Sequence, residues 1–339
     1  MKQQSCYILA IESSCDDTAA AILRNDKVLS NIIATQDIHK AYGGVVPELA
    51  SRAHQQNIIP VVDQALKKAG VSKKQLSAIA YTRGPGLLGS LLVGASFAKS
   101  LSMGLDIPLI DVNHMQAHLL AHFIKDENPT PEFPFLGVTV SGGHTQIVLV
   151  RGFFDFELIG TTLDDAIGEV FDKCGKILGL GYPAGPIIDE KAQSGNPNAF
   201  KFPIPKVPGL DMSFSGFKTN VINFIHKKMQ KDTAFIKENF NDLCASIQYT
   251  LIEIIFEKIK KAIETHKISR IVLGGGVSAN SGLRSKLKNT AEEKDWEVFL
   301  PPFEFTTDNA AMIGIVGYLK YLEKDFGSLN ESASARLKF

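Results

Sequence analysis

The feature that most constrains the fold of this chain is a group of three short β-type segments that occurs twice. The first group comprises residues 7–12, 18–23 and 28–34. The second group comprises residues 135–140, 146–150 and 156–160. In each group, apolar runs of strand length are separated by polar turns, which is typical of an antiparallel meander. Because a repeated supersecondary pattern indicates duplicated domains, we predict two α/β lobes with an internal structural duplication.

The region between the two meanders predicts alternating helices and strands. We expect a helix that begins near Glu48 and bends at Pro60, because proline removes a helical hydrogen bond. The other elements expected here are a strand at 78–82, a helix at 87–103, a strand at 107–112 and a helix at 114–124. A cluster of prolines at 129, 131 and 134 then marks a linker that ends the first lobe.

The second half of the chain predicts a similar alternation. Its expected elements are a helix at 164–178, a long loop rich in Pro and Gly at 181–211, helices at 215–228 and 235–265, and strands at 270–273 and 298–300. A last helix that begins near Asp308 is expected to pack back on the first lobe. We therefore place the N-terminal lobe at 1–128, completed by a helix at about 308–325, the C-terminal lobe at 129–307, and a polar tail at 326–339.

The composition favours an intracellular globular protein. Lys plus Arg and Asp plus Glu both number 36, so no overall field draws the chain to nucleic acid or to an anionic membrane. The four cysteines form no CxxC pair, which fits reduced thiols, and they are Cys6, Cys15, Cys174 and Cys244. The apolar run at 7–11 is too short for a signal peptide, and no window approaches the roughly 18 apolar residues of a spanning helix. We therefore expect a cytoplasmic protein that has no membrane partner.

His114 and His118 are the first candidates for a metal site. Their spacing places both imidazoles on one side of a helix, where they can share an ion, although two polar histidines near a helix start are an alternative. His122 lies more than two turns from His114 and is interpreted as structural. Asp308 is interpreted either as a helix cap or as a third, oxygen ligand. Two histidines and one carboxylate suit iron(II) or zinc.

The residue after the first histidine argues against a zinc protease. In the protease motif a glutamate at this place activates the metal-bound water. Met115 occupies it here, so a protease would lack its general base.

A glycine fingerprint at residues 84–89 has two interpretations. Gly84, Gly86 and Gly89 match the GxGxxG pattern between a predicted strand and a predicted helix, as in dinucleotide-binding folds. However, the pattern follows a meander, and Pro85 stiffens the turn, so close packing of the helix on the strand is the favoured interpretation. No GKS or GKT sequence follows a glycine-rich loop, which excludes a Walker site.

Three other turns are better candidates for binding a nucleotide. They lie at residues 13–18, 141–145 and 274–280, and each follows a predicted buried strand. Glycine lets backbone N–H groups approach an anion closely, and neighbouring hydroxyls add donors. Asp172 and Asp189 are candidate acceptors for ribose hydroxyls or substrate amines, with surface charge as the alternative.

Several motifs together resemble one family. They are Ile-Glu-Ser-Ser-Cys-Asp-Asp-Thr from Ile11, Gly-Gly-Val-Val-Pro-Glu-Leu-Ala-Ser-Arg from Gly43, Tyr-Thr-Arg-Gly-Pro-Gly-Leu from Tyr81, the His114xxxHis118 pair, Val-Ser-Gly-Gly-His-Thr-Gln from Val140, Phe-Asp-Lys from Phe171, Phe-Ser-Gly-Phe-Lys-Thr from Phe214, and Gly-Gly-Gly-Val-Ser-Ala-Asn from Gly274. From about Leu9 to about Tyr321, the chain resembles the bacterial tRNA adenosine threonylcarbamoyltransferases (TsaD). That family is related to the Kae and Qri proteins and was formerly called a glycoprotease family. Gln116 and Ala184 depart from its usual pattern, at places where an acid and a glycine are common.

The resemblance implies a fold and a reaction. The implied fold is the two-lobed actin and hexokinase type (ASKHA), built from duplicated ribonuclease-H-like domains with a cleft between them. The implied reaction transfers the threonylcarbamoyl group of threonylcarbamoyl-adenylate to the exocyclic N6 amine of the adenosine beside the anticodon, in tRNAs that read codons starting with A. AMP is released. An ATP-dependent small-molecule kinase and a non-catalytic scaffold paralogue are the alternative functions on the same fold.

The resemblance also implies residue roles and partners. His114, His118 and Asp308 become the ligands of one divalent metal ion, with iron(II) favoured and zinc as the alternative. The implied substrate contacts are Thr139, Val140, Ser141, Gly142, Gly143, Asp172, Gly185, Asp189 and Asn280. Glu12 and Asp16 are the candidates for a catalytic base. The implied protein partners are an inactive paralogue of the same fold (TsaB) and a separate P-loop ATPase (TsaE).

Overall fold

The computed structural model describes residues 5–339, which form two compact units. Unit 1 comprises the chain up to Thr130 together with Pro301–Phe339, and unit 2 comprises Pro131–Leu300. The strands are β1 Tyr7–Glu12, β2 Thr18–Arg24, β3 Lys27–Ala34, β4 Ala78–Gly84, β5 Leu109–Asn113, β6 Phe135–Val140, β7 Thr145–Gly152, β8 Asp155–Thr161, β9 Arg270–Gly274 and β10 Glu297–Phe299. The α-helices are α1 Pro47–Ala69, α2 Leu88–Leu105, α3 His114–Leu120, α4 Ile167–Ile177, α5 Gly185–Ala192, α6 Ser215–Met229, α7 Phe235–Glu238, α8 Phe240–His266, α9 Ser281–Lys294 and α10 Ala310–Glu323.

Unit 1 is built on a five-stranded sheet in the order β3-β2-β1-β4-β5. The first three strands pair antiparallel as a meander, while β4 and β5 add in parallel through the crossover helices. Side chains alternate across β1, so Leu9 and Ile11 enter the core under α1 and α2. A side chain at Gly317 of α10 would contact Ile8, so α10 covers the opposite face. The C-terminal helix therefore packs in unit 1.

Unit 2 repeats this topology. Its sheet has the order β10-β9-β6-β7-β8, with β6, β7 and β8 as the antiparallel meander and β9 and β10 parallel to β6. The long helix α8 contributes much of the core, including Leu251 and Ile255, which are fully buried. The equivalent strand orders in the two units confirm the predicted duplication.

The structure differs from the predicted elements in several places. Helix α5 lies inside the predicted 181–211 loop, because a Gly-Pro pair that is typical of a turn also fits the first turn of a helix. The predicted helix at 235–265 is two helices separated at Asn239. Helix α3 ends at Leu120 and continues as a 3-10 turn, Ala121–Phe123, and β5 begins at Leu109 rather than residue 107. Helix α1 runs through Pro60 without ending.

The expectation that no window is apolar enough to span a membrane is wrong for α2. Its 18 residues have a mean hydropathy of 1.3, which passes the test of length and composition for a spanning segment. Gly, Ala and Ser supply much of this helix, and its buried positions Leu91, Ala95 and Ala98 follow helical spacing. That face packs with α1 and β4 in the core of unit 1.

Candidate functional site

The two histidines lie at the start of a helix that follows directly from a strand. Asn113 ends β5 and caps α3, because its side-chain oxygen accepts hydrogen bonds from the N–H groups of Met115 and Gln116. His114 is the first residue of α3, and His118 follows one turn later. Both side chains are buried, and their rings lie edge to face with centroids 4.7 Å apart. The end of β5 and the cap by Asn113 thus fix the position at which α3 begins, and with it the positions of both histidines.

Asp308 joins these histidines from the segment that precedes α10. Its Oδ1 lies 3.4 Å from Nε2 of His114 and 3.2 Å from Nε2 of His118. One ligand atom from each of the three residues lies within 4.8 Å of the other two. The structure therefore brings together the three residues that the sequence suggests as metal ligands. Asn309, rather than Asp308, caps α10 through a bond from Met312 N, so the cap interpretation of Asp308 is wrong.

The chemistry of the three residues fits a divalent cation. Both ring nitrogens of His118 are buried and, among the described residues, neither takes part in a hydrogen bond. Its Nε2 is near Asp308 Oδ1, but the contact lacks the geometry of a hydrogen bond. A buried imidazole nitrogen without a hydrogen bond is costly unless another partner takes its lone pair. Two imidazoles and a carboxylate are ligands that iron(II) and zinc both accept.

Glu12 holds the His114 ring in place through a hydrogen bond. This carboxylate is fully buried at the end of β1 and accepts three hydrogen bonds. Ser14 N donates to Oε1 at 2.5 Å, Thr82 Oγ1 donates to Oε2 at 2.6 Å, and His114 Nδ1 donates to Oε2 at 3.0 Å. The bond from Nδ1 leaves Nε2 of His114 as the nitrogen that points to Asp308. Sequence reasoning suggested Glu12 as a base, and the structure places it in a hydrogen bond with His114.

The charges at this centre are strongly coupled. Burial alone would lower the pKa of His114, but attraction by Glu12 and Asp308 outweighs it, and the pKa lies well above the usual value. Burial would raise the pKa values of both carboxyls, but attraction by His114 holds each below its usual range. Burial lowers the pKa of His118, which is therefore neutral. A cation that binds here must displace the proton of His114, since metal ligands are deprotonated.

The loop after β1 is fixed by a histidine that sequence reasoning missed. His54 of α1 is fully buried, and its Nε2 donates to the Cys15 carbonyl at 3.0 Å while its Nδ1 accepts from Thr18 Oγ1 at 2.7 Å. Ser90 Oγ donates to the same carbonyl at 2.9 Å. Asp16, the other suggested base, is half-buried in this loop. A histidine on the apolar face of α1 was the only sequence signal for this contact.

The glycine fingerprint at 84–89 is explained by close packing. A Cβ at Gly86 would lie 2.3 Å from the Ser14 carbonyl oxygen, and one at Gly89 would lie 3.2 Å from Ser51 Cβ. The turn therefore lies against other segments of unit 1, which supports the packing interpretation over a dinucleotide site.

In unit 2, the Thr139–Gly143 segment forms the end of β6 and the turn after it. Ser141 closes the turn, because its N–H donates to the His144 carbonyl and its hydroxyl accepts from His144 N. Gly142 and Gly143 are exposed, and open space surrounds the position of a Cβ at both. Thr139 is fully buried, and its hydroxyl has no hydrogen-bond partner in the part of the chain that the structure describes. The turn thus exposes its backbone to a ligand, although the N–H of Gly143 already donates to Ser141 Oγ at 3.3 Å.

The β9 turn lies directly against this segment. Gly275 has φ of +89°, and a Cβ there would lie 2.5 Å from the Val140 carbonyl oxygen. Asn280 closes the same turn, because Oδ1 accepts from Leu283 N at 2.9 Å and Nδ2 donates to Gln248 Oε1 at 2.7 Å. The turns after β6 and β9 therefore form one surface at the carboxyl ends of neighbouring parallel strands, which is where α/β sheets bind ligands.

The two suggested carboxylates of unit 2 hold helices together. Asp172 of α4 accepts from Ala184 N at 2.7 Å, just before Gly185 begins α5, and burial raises the pKa of this carboxyl. Asp189 of α5 accepts from both the N–H and the hydroxyl of Ser281 at 2.8 Å. Both carboxylates therefore fix the helix ends that surround the two turns.

Comparison with known proteins shows one family over most of the chain. A family model described as tRNA N6-adenosine threonylcarbamoyltransferase matches residues 27–315. A tRNA N6-adenosine threonylcarbamoyltransferase of Christiangramia forsetii is 62% identical over 100% of both chains. The enzyme of that name from Riemerella anatipestifer is 59% identical over 99% of this chain and 98% of its own.

The fold is also seen in a distant solved structure. Component A of the (R)-2-hydroxyglutaryl-CoA dehydratase of Acidaminococcus fermentans is similar with a TM-score of 0.54, at 16% identity, over 94% of this chain and 99% of that chain. The likeness shows the actin and hexokinase type of α/β fold, in agreement with the duplicated units.

Proposed function

This chain belongs to the tRNA N6-adenosine threonylcarbamoyltransferase (TsaD) family, and we propose the following roles for its residues in that reaction. The protein is an acyltransferase that modifies tRNA at N6 of an adenosine. We take threonylcarbamoyl-adenylate as the donor and the adenosine beside the anticodon, in tRNAs that read codons starting with A, as the acceptor. The observation that carries the proposal is the convergence of His114, His118 and Asp308 within 4.8 Å.

The metal centre is proposed to hold one divalent cation. Nε2 of each histidine and a carboxylate oxygen of Asp308 would be its ligands, with iron(II) favoured and zinc as the alternative. When bound, a divalent cation stabilises negative charge on carbonyl and phosphate oxygens of a substrate. Glu12 acts through His114, because its hydrogen bond fixes the tautomer and the ring orientation.

The two turns of unit 2 are proposed to bind the adenylate. The exposed backbone of Gly142 and Gly143 lets N–H groups approach a phosphate closely, and the unpartnered Thr139 hydroxyl adds a donor. The turn that Asn280 closes forms the neighbouring wall. Asp172, Gly185 and Asp189 hold that wall through α5 and Ser281. These residues position the donor and supply fixed dipoles.

The chemical step forms one bond and breaks one bond. The adenosine amine nitrogen attacks the carbamoyl carbon, a C–N bond forms, and the C–O bond to phosphate breaks as AMP leaves. The nitrogen must then lose a proton. Glu12 is buried and already accepts three hydrogen bonds, whereas Asp16 is half-buried in the loop after β1. We therefore propose Asp16 as the proton acceptor.

The proposed partners and cellular compartment rest on the same family membership. We propose that the enzyme works in the cytoplasm with an inactive paralogue of its own fold (TsaB) and with a P-loop ATPase (TsaE). Helices α1 and α2 expose the apolar side chains of Ile59, Leu88 and Leu92. Exposed large apolar side chains are common at protein interfaces, and these support the paralogue as the partner.

The experiment incubates the purified protein, with and without the two partner proteins, with labelled threonylcarbamoyl-adenylate and unmodified tRNA. We expect label in tRNA with the native chain and its loss in a His114→Ala/His118→Ala variant, while His226→Ala, at an exposed position on α6, serves as a control. Unchanged transfer by the double variant would refute the metal role. ATP consumption with a small hydroxylated substrate and no tRNA would instead support a kinase.

A further inference from the structure

The chain's last residues run across the ends of β4 and β5, beside the metal centre. Backbone hydrogen bonds hold this C-terminal segment, residues 327–338, at its first residue and at Ser334. Gly327 N donates to the Leu109 carbonyl at 2.8 Å, and Ser334 N donates to the Arg83 carbonyl at 2.9 Å. The segment is thus built onto the sheet of unit 1 rather than extending from it.

The fit of this segment explains the first glycine of the 84–89 turn. Gly84 has φ of +155°, and a Cβ there would lie 1.9 Å from the Ser334 carbonyl oxygen. Gly86 N also donates to the Ala335 carbonyl at 3.3 Å. The C-terminal segment therefore requires glycine at position 84, because the segment packs directly on this turn.

The segment reaches the metal centre by a first route through Asn113. The side-chain nitrogen of Asn113 donates to the Lys338 carbonyl at 2.8 Å, while its oxygen caps α3. Both ends of this amide are therefore used, and its orientation is fixed. Because His114 is the next residue, the same amide sets the direction in which the metal helix begins.

A second route runs through β4. Ser334 bonds the Arg83 carbonyl, and the preceding residue, Thr82, donates its hydroxyl to Glu12. Glu12 in turn accepts the hydrogen bond from Nδ1 of His114. The C-terminal segment thus contacts both supports of one metal ligand, the helix cap and the strand that carries the partner of Glu12.

Polar side chains fasten the segment along its length. Lys99 of α2 donates to the carbonyls of Leu329 and Glu331, and Arg83 donates to the Ser332 carbonyl while pairing with Glu331. Ala333 packs on the core of the unit. Most of these bonds use main-chain carbonyls of the segment, so its path is specified more by backbone than by side-chain identity.

We infer that Asn113 and the C-terminal segment are positioning elements of the metal centre, which hold His114 in the orientation that binds the cation. The inference rests on the proposed metal site and extends it to residues with no ligand role. Loss of the segment removes the acceptor of the Asn113 amide and loosens the end of β4. The expected effect is weaker metal binding by a folded protein.

The experiment measures zinc affinity by competition with a chromogenic chelator, which requires no activity. One variant is Asn113→Ser, because serine keeps the helix cap but lacks the amide group that donates to the Lys338 carbonyl. A second ends the chain after Ser332, and a third combines both changes. We expect each single variant to weaken zinc binding about 10-fold to 100-fold, the usual effect of losing a support of a metal ligand. The combined variant should be little worse than the truncation, because both remove the same bond.

A matched glycine pair keeps the test independent of truncation. Gly84→Ala places a methyl group on the Ser334 carbonyl, whereas Gly104→Ala on α2 adds one in open space. Gly84→Ala should weaken zinc binding and speed proteolysis of the C-terminal segment, and Gly104→Ala should change neither. Thermal unfolding, measured with chelator present, shows whether each variant is folded.

The outcomes separate this inference from the proposed metal site. Native-like zinc affinity in folded Asn113→Ser, truncated and Gly84→Ala proteins would overturn the positioning role while leaving the site intact. Failure of the native protein to bind zinc or iron(II) would overturn the metal site itself, and the positioning role with it.

Discussion

Glu12 and His114 share a hydrogen bond of 3.0 Å although 102 positions separate them in the chain. The carboxylate also accepts from Ser14 and Thr82, so each of its oxygen atoms has at least one donor. Substitution of Glu12 by Gln places an N–H₂ group among these donors. In the native protein both oxygen atoms of Glu12 accept hydrogen bonds, whereas the N–H₂ group of Gln cannot accept one. One of the present donors would then lose its acceptor.

We expect Glu12→Gln to lower metal affinity about 10-fold to 100-fold, because His114 loses the partner that fixes its tautomer. Chelator competition measures the change, and Glu48→Gln, at an exposed residue of α1, is the control. Metal affinity equal to that of the native protein would show that Glu12 does not orient His114.

The glycines of the β9 turn provide a matched pair in unit 2. Gly275→Ala places a Cβ 2.5 Å from the Val140 carbonyl at a positive φ, whereas Gly276→Ala meets no atom within 4 Å. We expect Gly275→Ala to lower the free energy of unfolding by about 2 kcal/mol, the usual cost of overpacking, and to weaken binding of the adenylate. Gly276→Ala should leave stability nearly unchanged. Thermal unfolding and calorimetric titration with AMP test both effects, and equal stability of the two variants would contradict the close approach of the turns.

Asp17 gives a pH dependence with a definite sign. Burial, followed by repulsion from Asp308, raises the pKa of this carboxyl from 3.8 to about 7. The folded protein therefore binds this proton more tightly than the unfolded chain, and the contribution of Asp17 to stability falls as pH rises from about 4 to about 7. Asp17→Asn should thus stabilise the metal-free protein at pH 8 and have little effect near pH 4. Urea unfolding at both pH values, with chelator present, measures the change in the free energy of unfolding. A larger stabilisation by Asp17→Asn at pH 4 than at pH 8 would contradict the expected pH dependence.

The thiols should be unreactive in the folded protein. Burial raises the pKa of Cys6 and Cys244 to about 11 each and that of Cys174 to about 12. At pH 8 a thiol with a pKa of 11 is only about 0.1% thiolate, and the thiolate is the reactive form. We expect iodoacetamide to modify these three residues only as fast as the protein unfolds. Mass spectrometry of samples labelled with and without urea measures the rate. Rapid labelling of any of them without urea would show that its surroundings open.

The sequence was sufficient for the parts of the fold that depend on local patterns. Both meanders were predicted because their apolar runs have strand length and polar turns separate them, and Tyr7–Glu12 and Phe135–Val140 were found at the predicted bounds. Helix α5 was missed because Gly185 and Pro186 are residues that also begin turns. The apolar character of α2 was underestimated because Gly, Ala and Ser separate its large apolar side chains, so the sequence shows no long uninterrupted apolar run.

The candidate site was predictable only where spacing or resemblance identified its residues. His114 and His118 are one helical turn apart, so their spacing alone suggested a shared ligand. Asp308 lies far away in sequence, where its surroundings suited a helix cap as well as a third ligand, and the family resemblance favoured the ligand role. The contacts of Glu12 and His54 depend on which strand and helix ends meet in the folded unit, and no local pattern records that.

Unit 1 is discontinuous in sequence, since it contains both the first residues described and everything after Pro301. During translation, the whole of unit 2 is synthesised before Asp308, α10 and the C-terminal segment. A prematurely terminated polypeptide would therefore carry both histidines and a finished second unit, yet could not assemble the metal centre. Synthesis must therefore pass Asp308 before the proposed metal centre can assemble.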